Sequence, residues 1–230
     1  MLLLDYFLYI LFPKRCISCL KLVKDDTIFC EDCLSKIRIF NSFFCPKCGA
    51  RISEFKKICH KKEKFILGAA TDYNDIVKQT IWRLKFKFIQ RGAYPLANLL
   101  INYFKNLDFK NKIDFIVIPV PLSKKRFKER GFNQSELIAQ IFANYFNFKI
   151  EINVLYREKH SKPQSEIDDL NLRKQNVSNC FKVLNKDLIL NKNIILIDDV
   201  TTSGATFKEA VKVLKESGAK SILALAVTKA

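Results

Sequence analysis

The sequence predicts an α/β fold in which a mostly parallel sheet has helices on both faces and follows a small N-terminal cysteine-rich module. Apolar, β-favouring segments near residues 114–120, 194–198 and 222–228 alternate with helical patterns, which is typical of a parallel sheet. Most of the cysteines lie before residue 60. With 230 residues and 49% hydrophobic content, the chain is long enough for one full-sized domain and a small module.

The N-terminal module contains three C-x-x-C pairs, which are Cys16/Cys19, Cys30/Cys33 and Cys45/Cys48. A tight turn directs both thiolates of such a pair to one ion, so the first two pairs can complete a tetrahedral zinc site. A disulfide framework is the alternative, but nothing in the sequence suggests export, and a reducing compartment keeps thiols free. We therefore expect a structural Zn²⁺ bound by four thiolates, those of Cys16, Cys19, Cys30 and Cys33.

The third pair, Cys45/Cys48, has no complete partner pair with which to form a second zinc site. Cys59 could supply a third ligand, but Lys62 occupies the position where a fourth cysteine would be expected. Two interpretations stay open. His60 completes a second zinc site with Cys45, Cys48 and Cys59, or the awkward geometry of adjacent ligands at 59 and 60 leaves the site incomplete. We expect the module to occupy residues 1–63 and the larger domain to occupy residues 64–230.

The first residues, 2–12, are apolar but too short to span a bilayer, and they include Asp5. We expect a helix packed on the rest of the protein. The alternative is an interfacial helix with Lys14 and Arg15 at the lipid headgroups. The stretch has no basic leader region or small-residue cleavage site, so we expect no stable membrane insertion and a cytoplasmic location.

The next segment predicts a strand at residues 65–70, a helix ended by Gly92, and a second helix at residues 94–104. The first helix has an apolar face formed by Val77, Ile81, Leu84 and Phe88. Its other side carries basic residues, which are usually solvated but could track a phosphate backbone; they are Lys78, Arg83, Lys85 and Lys87. Cys180, in an apolar stretch, is expected to be a core residue.

A basic segment follows the strand near residues 114–120, which ends in I-P-V-P. Ligands of open α/β sheets bind outside the carboxyl ends of the strands, so this segment is placed to meet an anion. A solvated loop is the alternative. The formal charge of +17 also favours polyanions, although a Lys-, Asn-, Ile- and Phe-rich composition is what an AT-rich genome imposes. The candidate anion-binding residues are Lys124, Lys125, Arg126 and Arg130.

The sequence I-I-L-I-D-D-V-T-T-S-G-A-T at residues 194–206 places two carboxylates and a hydroxyl-rich loop between a buried strand and an amphipathic helix. We expect Asp198 and Asp199 to emerge where the strand ends and the loop to bind an anion at the helix N-terminus. The alternative is a solvated strand end with a capping turn. The six glycines lack the spacing of a dinucleotide fingerprint or a Walker A loop, which argues against a kinase or a Rossmann dehydrogenase.

This segment resembles the phosphoribosyl-diphosphate (PRPP) motif of type I phosphoribosyltransferases. Together with I-P-V-P at 118–121, R-G-F-N-Q, the paired cysteines, P-Q at 163–164 and R-x-x-N-V at 173–177, it is similar to the ComF (ComF/GntX) family, in which a zinc module precedes such a domain. The resemblance implies a type I phosphoribosyltransferase-like fold. It also implies a PRPP-binding competence protein that handles single-stranded DNA together with other DNA-uptake proteins.

The resemblance further implies that Asp198 and Asp199 are the catalytic pair and accept hydrogen bonds from the ribose diol, while Mg²⁺ neutralises the diphosphate. The loop would hold the 5′-phosphate, and the basic residues would contact diphosphate or DNA. No residue set identifies an acceptor. A nucleobase salvage phosphoribosyltransferase and a non-catalytic PRPP sensor therefore remain as alternatives. The remaining PRPP-binding positions are Val200, Thr201, Thr202, Ser203, Gly204, Ala205 and Thr206.

Overall fold

The structure is a computed structural model that describes residues 13–23, 28–52, 59–60, 64–107, 114–158 and 180–230. Three features of the sequence lie outside these residues: the predicted N-terminal helix, Lys62, and the segment with the P-Q and R-x-x-N-V elements. The predicted boundary near residue 63 also lies outside them. No helix formed by the described residues is long and apolar enough to cross a membrane.

Within the described ranges, the main sheet has seven strands in the order β2-β1-β3-β9-β8-β4-β5. Five of them are parallel, and β1 and β2 form an antiparallel hairpin that pairs with β3. A separate antiparallel pair consists of β6 and β7. The strands are β1 Phe43–Phe44, β2 Arg51–Ile52, β3 Ile66–Asp72, β4 Phe115–Pro119, β5 Lys149–Ile150, β6 Leu155–Arg157, β7 Phe181–Val183, β8 Asn193–Thr201 and β9 Ser221–Lys229.

The described helices connect these strands and cover the sheet. Short 3₁₀ turns occur at Gln90–Gly92 and Lys186–Leu188. The predicted, mostly parallel α/β architecture is confirmed, and strands β4, β8 and β9 lie where the apolar segments predicted them. The helices are α1 Glu31–Leu34, α2 Asp75–Phe86, α3 Ala93–Asn106, α4 Lys124–Arg130, α5 Gln134–Phe146 and α6 Ala205–Glu216.

Two local predictions, the end of the helix before Gly92 and the end of the strand before the aspartates, were wrong, and one further segment forms a helix that was not predicted. Helix α2 ends at Phe86 rather than at Gly92, and Phe88 has a left-handed φ of 55° and is 54% exposed, so it leaves the buried face. The segment after β4 forms helix α4, because Ser123 caps its first turn and Gly131 ends it at φ 75°. Strand β8 continues through the two aspartates to Thr201, since β9 pairs with it along that length.

The cysteine-rich module is joined to the larger domain by its hairpin and by further polar contacts, among them the Phe40 N–H, which donates to the Ala70 carbonyl of β3 at 2.8 Å. Phe43 and Phe44 of β1 pair with Gly68 and Leu67 of β3. In addition, Arg83 of α2 donates from Nη1 to the Ile17 carbonyl at 2.7 Å, between Cys16 and Cys19. The Tyr103 hydroxyl of α3, which is buried, donates to the Ser42 carbonyl at 2.8 Å. The module therefore continues the sheet that carries the candidate site.

Candidate functional site

A cavity of about 1020 Å³ lies at the carboxyl end of β8, and the aspartate pair lines it. Helix α2, helix α4 and the loop before α6 contribute its other walls. The position agrees with the rule that open α/β sheets bind ligands beyond the carboxyl ends of their strands. Of the predicted PRPP-binding and basic residues, those that line the cavity are Asp198, Asp199, Val200, Thr202, Thr206, Arg126 and Arg130.

Asp198 is held by two hydrogen bonds to one carboxylate oxygen. Its Oδ1 accepts from Ser135 Oγ at 2.8 Å and from the Asp199 backbone N–H at 2.9 Å. Burial, and after it the neighbouring charge of Asp199, raises the pKa of Asp198 to about 7, while Ser135 and Lys85 oppose the rise. Near neutral pH this carboxyl group can therefore gain or lose a proton as the surrounding charge changes.

Asp199 is buried, with its side chain 4% exposed, and it is paired with a cation from α2. Its Oδ2 lies 2.5 Å from Lys85 Nζ, with which it forms an ion pair. Its Oδ1 accepts from the backbone N–H of Val200 at 3.0 Å. The carboxylate is therefore fixed in position by a cation on one oxygen and by the backbone on the other.

Of the four predicted basic residues in helix α4, two line the cavity and two lie outside it. Arg126 and Arg130 are four residues apart, so they share the face that lines the cavity. Arg130 also donates to Gln134 Oε1 at 2.9 Å, and burial lowers the pKa of its guanidinium. Lys124 and Lys125 are exposed and lie off the cavity, with Lys124 Nζ 5.8 Å from the Tyr156 ring centre. Two of these four residues are thus placed for a ligand in the cavity.

The loop after β8 turns into α6 at Gly204, which has a left-handed φ of 72°. Non-glycine residues are strained in this conformation, so the turn favours glycine. The first backbone N–H groups of α6 have no acceptor within the helix, which suits them to an anion. The hydroxyl oxygen of Ser203 is buried without a hydrogen-bond partner among the described residues. Thr201 is buried within β8 and Ala205 at the start of α6; both lie off the cavity.

Several residues that line the cavity or contact the aspartates were missed by the reasoning from sequence. Lys85 was grouped with a basic flank that is usually solvated, although it pairs with Asp199. The rings of Trp82 and Phe86 also line the cavity. Ser135, which hydrogen-bonds Asp198, directly follows the R-G-F-N-Q motif. Its position next to this motif was the one feature of the sequence that could have indicated a role at the site.

The R-G-F-N-Q motif positions the start of α5 beside the aspartates. Gly131 ends α4, and Phe132 is buried. The Asn133 side chain accepts from the Ser135 N–H at 3.1 Å and donates to the Val120 carbonyl at 3.1 Å. Because Asn133 joins the end of β4 to the first turn of α5, it places the Ser135 hydroxyl on Asp198.

Two groups of potential metal ligands lie in the cysteine-rich module, and within each group the ligand atoms are all within 4.8 Å of one another. The first group consists of Cys16, Cys19, Cys30 and Cys33, in which the Sγ atoms of Cys19 and Cys30 are 3.6 Å apart. Tetrahedral zinc, with Zn–S bonds of about 2.3 Å, requires sulfur atoms about 3.8 Å apart. The thiolates therefore fit a structural zinc ion.

The second group brings together Cys45, Cys48, Cys59 and His60. Cys45 Sγ lies 3.3 Å from His60 Nδ1, and Cys48 Sγ lies 3.7 Å from Cys59 Sγ. The adjacent residues 59 and 60 thus direct their ligand atoms to one point, which is the arrangement that the first of our two interpretations requires. Cys180 is buried in the core beside β7, as expected.

Comparisons with known proteins agree with this organisation. A double zinc ribbon domain matches residues 7–62, and a phosphoribosyl transferase domain matches residues 89–229. Competence protein ComFC of Bacillus subtilis is 32% identical over 86% of this chain and 82% of its own length. Competence protein F of Haemophilus influenzae is 29% identical over 92% of this chain and 95% of its own length. DNA utilization protein YhgH of Salmonella typhimurium is 26% identical over 84% of this chain and 86% of its own length. The chain belongs to the ComF family, in which a double zinc ribbon precedes a phosphoribosyl transferase domain.

Proposed function

We propose that the cavity binds PRPP with Mg²⁺ and that the protein acts in DNA uptake during natural transformation. The observation that carries the proposal is the position of the Asp198–Asp199 pair. The pair shares one cavity with Thr202 and Thr206 of the loop that opens α6, and with Arg126 and Arg130. Carboxylates suit a ribose diol, and a helix N-terminus with hydroxyl groups suits a phosphate.

Each part of PRPP has a matching group in this arrangement. The ribose hydroxyls would donate to Asp198 and Asp199, and the 5′-phosphate would lie against the N–H groups that open α6. The diphosphate would face the guanidinium groups of α4. Mg²⁺ would be held chiefly by the diphosphate oxygens and would neutralise their charge. If transfer occurs, the protein's contribution is to align ribose, phosphate and leaving group rather than to form a covalent bond.

The proposed role in DNA uptake rests on the family and on charge. Relatives named competence protein or DNA utilization protein match most of this chain. The exposed lysines of α4 and the formal charge of +17 would favour contact with single-stranded DNA, at a cytoplasmic location beside other DNA-uptake proteins. Lys124 and Lys125 lie off the cavity, so they could contact a strand while PRPP occupies the cavity.

Calorimetric titration of PRPP with Mg²⁺ tests the binding site. The double variant Asp198→Asn, Asp199→Asn should lose binding, whereas Lys125→Met, which removes an exposed charge outside the cavity, should bind as the unaltered protein does. Absence of binding by the unaltered protein would overturn the proposed PRPP site. Release of diphosphate with a free base would indicate salvage activity, and binding without release with any base would indicate a sensor.

The role in transformation needs a separate test. Deletion of the gene should reduce transformation by linear DNA, and a copy encoding the intact protein should restore it. A copy with the double Asn substitution should not restore it if PRPP binding serves this role. A deletion strain that transforms normally would contradict the proposed role in DNA uptake while leaving the PRPP site open to measurement.

A further inference from the structure

We propose that Trp82 and Phe86 form a stacking surface for a planar purine or pyrimidine base, inside the cavity that contains the aspartate pair. The two residues lie four positions apart on α2, so their rings are neighbours on one side of the helix. Their position relative to the ribose rests on the PRPP site proposed above. The surface itself is defined by the two rings, by the cations beside them and by the exposure of the rings.

The two rings are exposed where an amphipathic helix would ordinarily bury them. Trp82 is 44% exposed and Phe86 is 56% exposed, although α2 buries Val77, Ile81 and Leu84 almost completely on another face. Large aromatic rings lose favourable burial energy when they face water. Among the described residues the two rings therefore lie outside the buried core, and both instead line the cavity.

Each ring also lies beside a cation. The ring centroids of Trp82 and Phe86 are 6.3 Å apart with an interplanar angle of 40°. Lys87 Nζ lies 5.4 Å from the Trp82 centroid, and Arg130 Cζ lies 5.4 Å from the Phe86 centroid. Aromatic surfaces combined with cations are the means by which proteins bind unpaired bases together with their phosphates. An uncharged apolar ligand would not need these cations.

The stacking surface is close to the proposed ribose site. Lys85, which contacts Asp199, follows Trp82 by three residues on the same helix, or about 4.5 Å along the helix axis. A base on Trp82 and a ribose on the aspartates would thus be neighbours, as they are within one nucleotide. The volume of about 1020 Å³ is at the upper end of the usual range for ligand sites, which leaves room beyond PRPP.

A polar group is available for the edge of the base. Gln79 lies one turn before Trp82 and lines the same cavity. A side-chain amide offers both a donor and an acceptor, which are the groups that base edges require. Stacking would therefore provide most of the affinity, and Gln79 would contribute orientation.

The base could be free or part of a single strand, and one measurement separates these sources. Trp82 is the only tryptophan in the chain, so its fluorescence reports on this surface alone. Adenine and uracil, each with and without PRPP and Mg²⁺, and oligothymidylate are the probes. An abasic strand of equal length and inorganic diphosphate are the controls. Saturable quenching by a free base or by oligothymidylate, but not by the controls, is expected. The probe that quenches identifies the source.

Substitutions then test the two rings. Trp82→Leu, followed by calorimetry, should weaken base binding about tenfold or more, and Trp82→Phe should recover most of it. Phe86→Leu should shift the quenching curve to higher ligand concentration. The matched control is Tyr145→Leu, since Tyr145 is 56% exposed and has Lys105 beside its ring but lies outside the cavity. The affinity of Tyr145→Leu for the base should equal that of the unaltered protein.

Three outcomes would overturn the proposed stacking surface. They are equal quenching by the abasic strand and oligothymidylate, no quenching by any probe, and an unchanged affinity of Trp82→Leu for the base. PRPP binding by the unaltered protein, measured by calorimetry, separates this inference from the proposed function. PRPP binding without quenching by any base would refute only the stacking surface. Quenching by a base without PRPP binding would refute only the PRPP site.

Discussion

Lys85 of α2 and Asp199 of β8 form an ion pair that closes one wall of the cavity, with Nζ and Oδ2 2.5 Å apart. The side chains are 18% and 4% exposed, so the pair is largely removed from water. The pairing places a cation beside two adjacent carboxylates, which would otherwise repel each other. It also connects the helix that carries Trp82 with the strand that carries the aspartates.

Removal of the cation should destabilise the protein. Lys85→Met leaves the buried Asp199 charge without its partner, and we expect the free energy of unfolding to fall by about 2 kcal/mol near neutral pH. Urea denaturation measures the loss. A double-mutant cycle with Asp199→Asn should give a coupling energy of about 1 kcal/mol or more. Lys78→Met, on the same helix and cavity wall, is the matched control and should have little effect. A coupling energy near zero would show that the pair does not act as a unit.

The raised pKa of Asp198 predicts a pH-dependent cost of folding. The pKa rises from 3.8 to about 7, so the folded state favours the protonated form. The cost is absent below the unfolded pKa and complete above the folded pKa, and stability is therefore lost as pH rises between them. Asp198→Asn keeps an oxygen for Ser135 and for the Asp199 N–H but carries no charge. The variant should gain on the order of 2 kcal/mol relative to the unaltered protein between about pH 5.5 and pH 8.

Chemical denaturation at several pH values measures this gain. Asp187→Asn, which changes an exposed carboxylate in the turn Lys186–Leu188, is the control and should show no comparable trend. If the difference between Asp198→Asn and the unaltered protein stayed constant with pH, the cost of the Asp198 charge would be refuted. Loss of PRPP binding in the more stable variant would show that the charge serves the site at the expense of stability.

Features encoded by neighbouring residues could be predicted from the sequence. Strand β8 was evident because its apolar residues are consecutive, and the loop was evident because Asp198, Asp199, Thr202 and Thr206 lie within one short segment. The parallel sheet followed from the alternation of strands and helices. Local spacing is sufficient for such features, since the chain itself brings the groups together.

Features that depend on distant residues could not be predicted in this way. The pairing of Lys85 with Asp199 joins residues more than a hundred positions apart, and nothing in the α2 pattern distinguishes Lys85 from solvated Lys78. Phe88 fits the apolar period of α2, but the helix ends before it and the left-handed backbone turns it outward. Residues 124–130 were interpreted only by their charge, so the Ser123 cap and the helix that it begins were not predicted.

The two ligand groups predict a zinc content of about two ions per chain. His60→Ala removes one ligand from the group that contains Cys45, Cys48 and Cys59, and should lower the content to about one because a site with three protein ligands binds structural zinc less tightly. Elemental analysis of the purified protein measures both values. Cys180→Ala, which removes a buried cysteine outside both groups, should leave the content unchanged. One zinc ion in the unaltered protein, or two in His60→Ala, would contradict the second site.

The hydroxyl of Tyr103 connects α3 to the zinc module through the Ser42 carbonyl, at 2.8 Å in a buried position. Tyr103→Phe keeps the ring but leaves that carbonyl without this donor, so we expect a loss of about 1.5 kcal/mol in the free energy of unfolding. Because Ser42 directly precedes β1, the backbone N–H groups of Phe43 and Phe44 should exchange hydrogen faster, while those of β8 should change less. Tyr94→Phe removes an exposed hydroxyl from the same helix and serves as the control. Equal acceleration in β1 and β8 would mean that the module and the sheet open together, and the contact would then stabilise the whole fold rather than the junction.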